Sequence, residues 1–253
     1  MHRRVYELLS ASALALIVTG LPALAAEPSA DAEAPVLEHT DDILPDEVER
    51  RGAYVRFDVG GIFSPSPGVS IVNAPAGLGA VDTGTLDAQV SVGAGVGYRF
   101  SNWFRSDLSV AFSPARDFSA DTNWTGGGTG SVTGSMTSTA VLASAYAEFA
   151  PESWIRPYVG GGLGLASVSL DSVEERTPAG TINRYGDKSD WNFAWSVATG
   201  VTLDVSEAVE LDAGYRYMNF GSAETGQDAR GSHVSLDTLE GHEFRIGFRY
   251  LFR

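Results

Sequence analysis

His242-Glu-Phe-Arg-Ile-Gly-Phe-Arg-Tyr-Leu-Phe-Arg253 is the stretch whose reading decides the fold. Phe244, Ile246, Phe248, Tyr250 and Phe252 take every second position, and Glu243, Arg245, Gly247, Arg249 and Leu251 lie between them. A period of two places one set on each face of a β-strand. One face is wholly apolar and aromatic, and the other carries three charges. A soluble sandwich would bury the apolar face and wet the charged one. An outer-membrane barrel would turn the apolar face to lipid and the charged face to a polar lumen.

Working back from that strand, segments of about ten alternating residues recur from Gly52 onward, the length a transmembrane β-strand needs. They cover residues 53–63, 88–100, 103–113, 138–150, 155–168, 191–204 and 208–220, and the terminal stretch is the eighth. Residues 88–100 show the pattern well: Val90, Val92, Ala94, Val96, Tyr98 and Phe100 alternate with Ser91, Gly93, Gly95, Gly97 and Arg99. The connections after Phe100, Ala150 and Val205 are tight. Those over 64–87, 114–137, 169–190 and 221–237 are long and rich in Gly, Ser, Thr, Asp and Asn, and they read as loops. Several long structureless loops are uncommon in a soluble domain. Short turns alternating with long loops fit a barrel with its turns in the periplasm and its loops outside. The predicted fold is all-β: an eight-stranded antiparallel transmembrane barrel over 52–253.

The start of the chain reads differently. His2, Arg3 and Arg4 precede an apolar run from Leu8 to Leu21 and an Ala-x-Ala pattern ending at Ala25, so residues 1–25 are expected to be an export signal. Residues 26–51 hold nine carboxylates and three prolines and read as an acidic periplasmic linker. The chain has no cysteine, so an exported fold must hold by burial or barrel closure rather than by disulfides. A net charge of −15 with no basic patch argues against nucleic acid as a partner. The chain has one lysine, Lys188, against sixteen arginines, which reads as compositional bias.

The inward positions form a candidate site of their own. The acids are Asp58, Asp107, Glu148, Asp204, Glu210, Asp212 and Glu243, and the bases are Arg56, Arg99, Arg105, Arg156, Arg216, Arg245 and Arg249. Seven of each, in so acidic a chain, predicts a lumen of Arg–carboxylate pairs. Inward glycines such as Gly93, Gly160 and Gly214 leave room for the long side chains. An eight-stranded barrel is just wide enough for side chains to fill. Trp103, Phe104, Trp154, Tyr98 and Phe149 gather beside the short turns as a periplasmic aromatic girdle would.

Five runs carry a family resemblance: Tyr54-Val-Arg-Phe-Asp-Val-Gly60, Gly93 to Asp107, Pro157 to Gly164, Leu211-Asp-Ala-Gly-Tyr-Arg-Tyr217 and the terminal strand. Together they resemble the small outer-membrane β-barrel proteins of alphaproteobacteria, the porin-family or surface-antigen proteins, which share their architecture with OmpA and OmpW barrels. The resemblance implies a place in the outer membrane among lipid and lipopolysaccharide. It also implies delivery by the barrel-assembly machinery, which reads the terminal strand (Phe244, Ile246, Phe248, Tyr250, Phe252). Here Phe252 is followed by Arg253, which displaces that signal by one position. The family pattern supplies no catalytic residue, cofactor or metal ligand, and a closed barrel has no edge that forces association.

Three functions compete at this level. One is an envelope-stabilising barrel that displays its loops outside. A second is a small porin or a carrier of solutes or hydrophobic molecules, favoured by a glycine-thinned wall and acidic loops. The third is an outer-membrane hydrolase, such as one acting on lipid A, built on Ser232, His233, Ser235 and Asp237. Sequence proximity alone does not supply the geometry that a nucleophile and its base require.

Overall fold

The computed structural model describes residues 51–252 apart from 66, 75 and 83. The signal peptide expected over 1–25, the linker expected over 26–51 (but for Arg51) and Arg253 lie outside the described residues. The strands are Gly52–Phe63 (β1), Val69–Val72 (β2), Leu78–Val81 (β3), Thr85–Leu86 (β4), Gln89–Arg99 (β5), Phe104–Trp124 (β6), Thr129–Glu148 (β7), Ile155–Arg176 (β8), Ile182–Arg184 (β9), Lys188–Asp204 (β10), Val209–Glu224 (β11) and His233–Leu251 (β12).

Eight of them close a ring in the order β1-β5-β6-β7-β8-β10-β11-β12, and β12 returns to β1. Every pairing around the ring is antiparallel, as the tight turns dictate. Closure runs from Tyr54↔Leu251 to Phe63↔His242, so the terminal strand is the stave that seals the barrel. The short turns are hydrogen-bonded across their ends, by Phe100 N to Phe104 O at 3.0 Å and by Val205 N to Val209 O at 3.1 Å.

The alternation sets which way side chains point. Phe57, Val59, Val90, Val92, Val96, Leu108, Val110, Leu163, Phe193, Val197, Leu211 and the aromatic face of β12 are all exposed on the outer surface. Trp103, Trp154, Phe100 and Phe149 are exposed beside the short turns, where a girdle belongs. Eleven residues of β5, at about 3.3 Å each and tilted near 45°, span roughly the 25 Å of such an apolar band.

The expectation of long loops is corrected. β6, β7 and β8 run 21, 20 and 22 residues, about twice what the membrane requires. Most of the stretches read as loops are strand, including β2, β3, β4 and β9, which lay themselves along β12, β6 and β8. The physical reason is an inversion of the hydrophobic pattern. On β6, Leu108, Val110 and Phe112 point outward and Asp107 and Ser109 inward; a register shift between Ser113 and Arg116 follows. Beyond it Phe118 and Ala120 point inward, and Asp117, Ser119 and Asp121 outward. The outer surface is now wet, so the strand places its apolar side inside. Phe118, Val132, Met136, Leu142, Val168, Leu170, Phe220, Val234 and Leu236 pack there into one core.

The interior therefore has two storeys. Charged side chains and tyrosines fill the half near the short turns, and an apolar core fills the half toward the long strand ends.

Candidate functional site

The lower storey draws its side chains from every stave, because one parity of each strand faces in. All fourteen charged residues anticipated for the lumen point there, and Arg99, Arg105, Arg156, Glu148, Glu210, Glu243, Arg245 and Arg249 are almost wholly buried. Glycines make the space. A side-chain carbon added at Gly160 or Gly97 would strike Tyr146 or Tyr54, and one at Gly200 would stand 2.6 Å from the Tyr158 hydroxyl.

Two carboxylates organise the network. Glu148 takes the Arg105 Nε at 2.7 Å, the Arg156 Nε at 3.1 Å and Arg99 Nη2 at 3.4 Å. Glu210 takes Arg99 Nη2 at 2.9 Å and Arg156 Nη2 at 2.6 Å, and also pairs with Arg249. Arg156 reaches Asp204 as well, and Arg249 reaches Asp212 at 2.7 Å. One guanidinium thus serves two or three acids, as its planar fork of donors allows.

Higher in the barrel, Arg56 bridges Asp58 at 2.9 Å and Asp107 at 3.1 Å, while the Tyr54 hydroxyl donates to Asp107 at 3.0 Å. Arg216 pairs with Glu243 at 2.6 Å, and Ser91 donates to the same carboxylate. Arg105 also stacks over the Tyr146 ring, 3.9 Å from its centroid. Arg245 is 3% exposed and its Nε and Nη1 find no hydrogen-bond partner, as is also true of the Nε and Nη1 of Arg99.

Charges out of water cost several kcal/mol each unless paired and hydrogen-bonded, and a lattice of shared partners offsets that cost. Such a lattice holds eight strands at fixed spacing.

Three tyrosines belong to this site that the charge pattern alone does not flag: Tyr54, Tyr146 and Tyr158. They share the inward parity, and that was the available signal. The Tyr158 hydroxyl donates to Asp212 at 2.9 Å. The hydrolase reading does not find its geometry. Ser232 Oγ donates to the carbonyl of Asn73 at 2.7 Å, and His233 Nδ1 has no hydrogen-bond partner. Among the described residues no group of three or more His, Cys, Asp or Glu could hold a metal ion.

A closed antiparallel ring with lipid-facing aromatics, a charged lumen and both ends by the short turns defines an integral β-barrel protein of the outer membrane. The chain belongs to the family described as the outer membrane protein beta-barrel domain, whose model matches residues 11–252. An uncharacterized protein of Brucella abortus is 28% identical over 218 residues, covering 68% of this chain and 72% of that one. A protein of Rickettsia conorii named as a candidate adhesin is 23% identical over 161 residues, 62% of this chain and 65% of its own. The crystal structure of the outer membrane protein OprG from Pseudomonas aeruginosa shares the fold. Its TM-score is 0.50 at 12% identity, over 79% of this chain and 97% of that one.

Proposed function

We propose that this protein is a closed structural barrel that stabilises the outer membrane and presents its long strand ends as a rigid, polar surface module, without enzymatic activity. The observation that carries the reading is the filling of both storeys. The lower one is occupied by the ion-pair lattice and the upper one by packed apolar side chains. A solute path through the axis would have to cross both, which argues against the porin alternative. The surface role is supported by the outward Ser, Thr and Asp side chains of the strand extensions. We further read Phe244 to Phe252 as the segment recognised during assembly, since the same strand closes the ring.

Two measurements test this. Purified barrel in a planar bilayer is expected to give no reproducible conductance step; a stable step would sink the structural reading in favour of the porin one. Cells lacking the protein are expected to admit a hydrophobic dye faster than the parent, and wild-type protein should restore the barrier.

A further inference from the structure

Toward the outer rim the barrel wall is no longer closed by main-chain hydrogen bonds all the way round. β10 and β11 pair from Asp204↔Glu210 up to Trp195↔Asn219 and stop. Above that level β10 pairs with β8 alone, from Lys188 to Ala194. β11 continues with β12 alone, through register shifts at Asn219/Gly221 and Gly221/Ala223. Bulges of this kind bend a strand away from its neighbour. Gly221, with φ of 81°, sits at the bend, where a side-chain carbon would stand 2.6 Å from the Cβ of Asn192.

Two side-chain contacts lace the seam: Asn192 Nδ2 donates to Ser222 O at 2.6 Å, and Lys188 Nζ meets Glu224 Oε2 at 3.2 Å. Main-chain contact resumes only where Gly226 N donates to Gly186 O at 2.7 Å.

The two lips are unlike. On the β10 side Trp191 and Phe193 are each 61% exposed, and Trp195 stands below them. On the β11 side the lip is low, made of Gly221 and the exposed Ser222. Behind the seam lie Ala194 and Phe220 of the apolar core. Unpaired strand edges are not tolerated bare in hydrocarbon, so this gap belongs at the level of lipid head groups, with the aromatic shelf reaching down from it. Lys188 is already balanced by Glu224 and by Asp190 at 3.0 Å, so the seam offers no free cation for a phosphate.

We propose that this seam is a binding site for one outer-leaflet amphiphile. Its acyl chain lies along Trp191, Phe193 and Trp195, and its uncharged, hydroxyl-bearing head group bonds to the open edges of β10 and β11. Aromatic faces suit a chain and the exposed peptide groups suit a saccharide. Other staves also lose a ladder partner near this height, β12 between Leu236 and His242 on its β1 side and β5 from Gln89 to Ser91 on its β6 side. What sets the β10–β11 seam apart is its shelf of Trp191, Phe193 and Trp195.

The test is photolabelling of the folded barrel in phosphatidylcholine vesicles with an alkyl glucoside that carries a diazirine on its chain. Label is expected to concentrate on residues 188–195 and 218–224. Ser222→Trp, a change at an exposed position, should cap the seam and lower that label roughly five-fold, equivalent to about 1 kcal/mol, while label on β1 and β5 stays constant. Asn192→Ala removes one lace and should raise it. Heat-dependent gel mobility confirms that each variant is folded. Label spread evenly around the barrel, or unchanged by Ser222→Trp, overturns the proposal. So does equal enrichment of a diazirine fatty alcohol that lacks the sugar.

Discussion

At the scale of single residues, two glycines three apart on β8 separate what is required from what is incidental. A side-chain carbon at Gly164 would collide with the carbonyl oxygen of Val141 on the adjoining strand, a backbone atom that cannot move aside. At Gly161 the nearest atom would be Ser196 O at 3.5 Å, an ordinary contact. Overpacking of a close backbone approach costs typically 1–3 kcal/mol or more. Gly164→Ala is therefore expected to lower the urea midpoint of the barrel in vesicles and to reduce the fraction showing heat-modified gel mobility. Gly161→Ala should match the wild type. Asp228 offers a pH test outside the membrane. Burial would raise its pKa, but the backbone N–H groups of Ser232 and Arg230 and the Arg230 side chain hold it below the ordinary aspartate value. A depressed carboxyl contributes stability above its unfolded pKa of about 3.9 and loses it as pH falls through the folded one. The Arg230 and Ser232 amide resonances should thus stay constant from neutral pH down past 3.9 and shift only below it. A midpoint at or above 3.9 would show that these bonds do not hold the turn.

At the scale of elements, the lattice ties strands together through very few acids. Glu148 on β7 joins Arg99 of β5, Arg105 of β6 and Arg156 of β8. Glu148→Gln leaves three buried guanidiniums short of a charge, and breaking a buried pair costs about 3–5 kcal/mol. Its expected signature is a lowered urea midpoint with an unchanged denaturant slope. A stability loss below about 1 kcal/mol would mean that water or Glu210 compensates, and that the lattice is not what holds the staves. The sequence makes the eight staves legible because period-two alternation is strong where lipid lies on one side and charge on the other. It also marks all fourteen lumen charges, since parity alone sends them inward. The strand extensions were hidden for a physical reason. Along β7, Thr133, Ser135, Thr137 and Thr139 point outward and look like loop composition, while Val132 and Met136, the inward residues that make it a strand, are separated by Gly134, which carries no side chain to mark the inner face. The three lumen tyrosines carry the same inward parity but no charge, so a count of inward charges passes over them, tyrosine being at home on either face. The seam at β10 and β11 was beyond reading, since it depends on which strand edges meet.

At the scale of the whole molecule, one chain obeys two opposite burial rules, and the height at which they exchange marks the edge of the membrane. Val110 and Ser119 lie on the same outer face of β6, nine residues apart, and the register shift between Ser113 and Arg116 falls between them. Below the shift outward side chains meet hydrocarbon, and an arginine there costs about 2–4 kcal/mol at the midplane, declining to about 0–1 near the interface. Above it they meet water, where the same residue costs almost nothing. Val110→Arg is therefore expected to lower stability in vesicles by an amount within that range, and Ser119→Arg by less than about 0.5 kcal/mol, as for other surface changes. Equilibrium urea titration of both variants in one lipid, followed by tryptophan emission, gives the comparison directly. Equal costs at the two positions would mean that the lipid band extends along the strand extensions, and the apolar upper storey would then require another explanation. If the costs separate as expected, the exchange of burial rules along β6 fixes the outer boundary of the bilayer on this barrel from the sequence of a single strand.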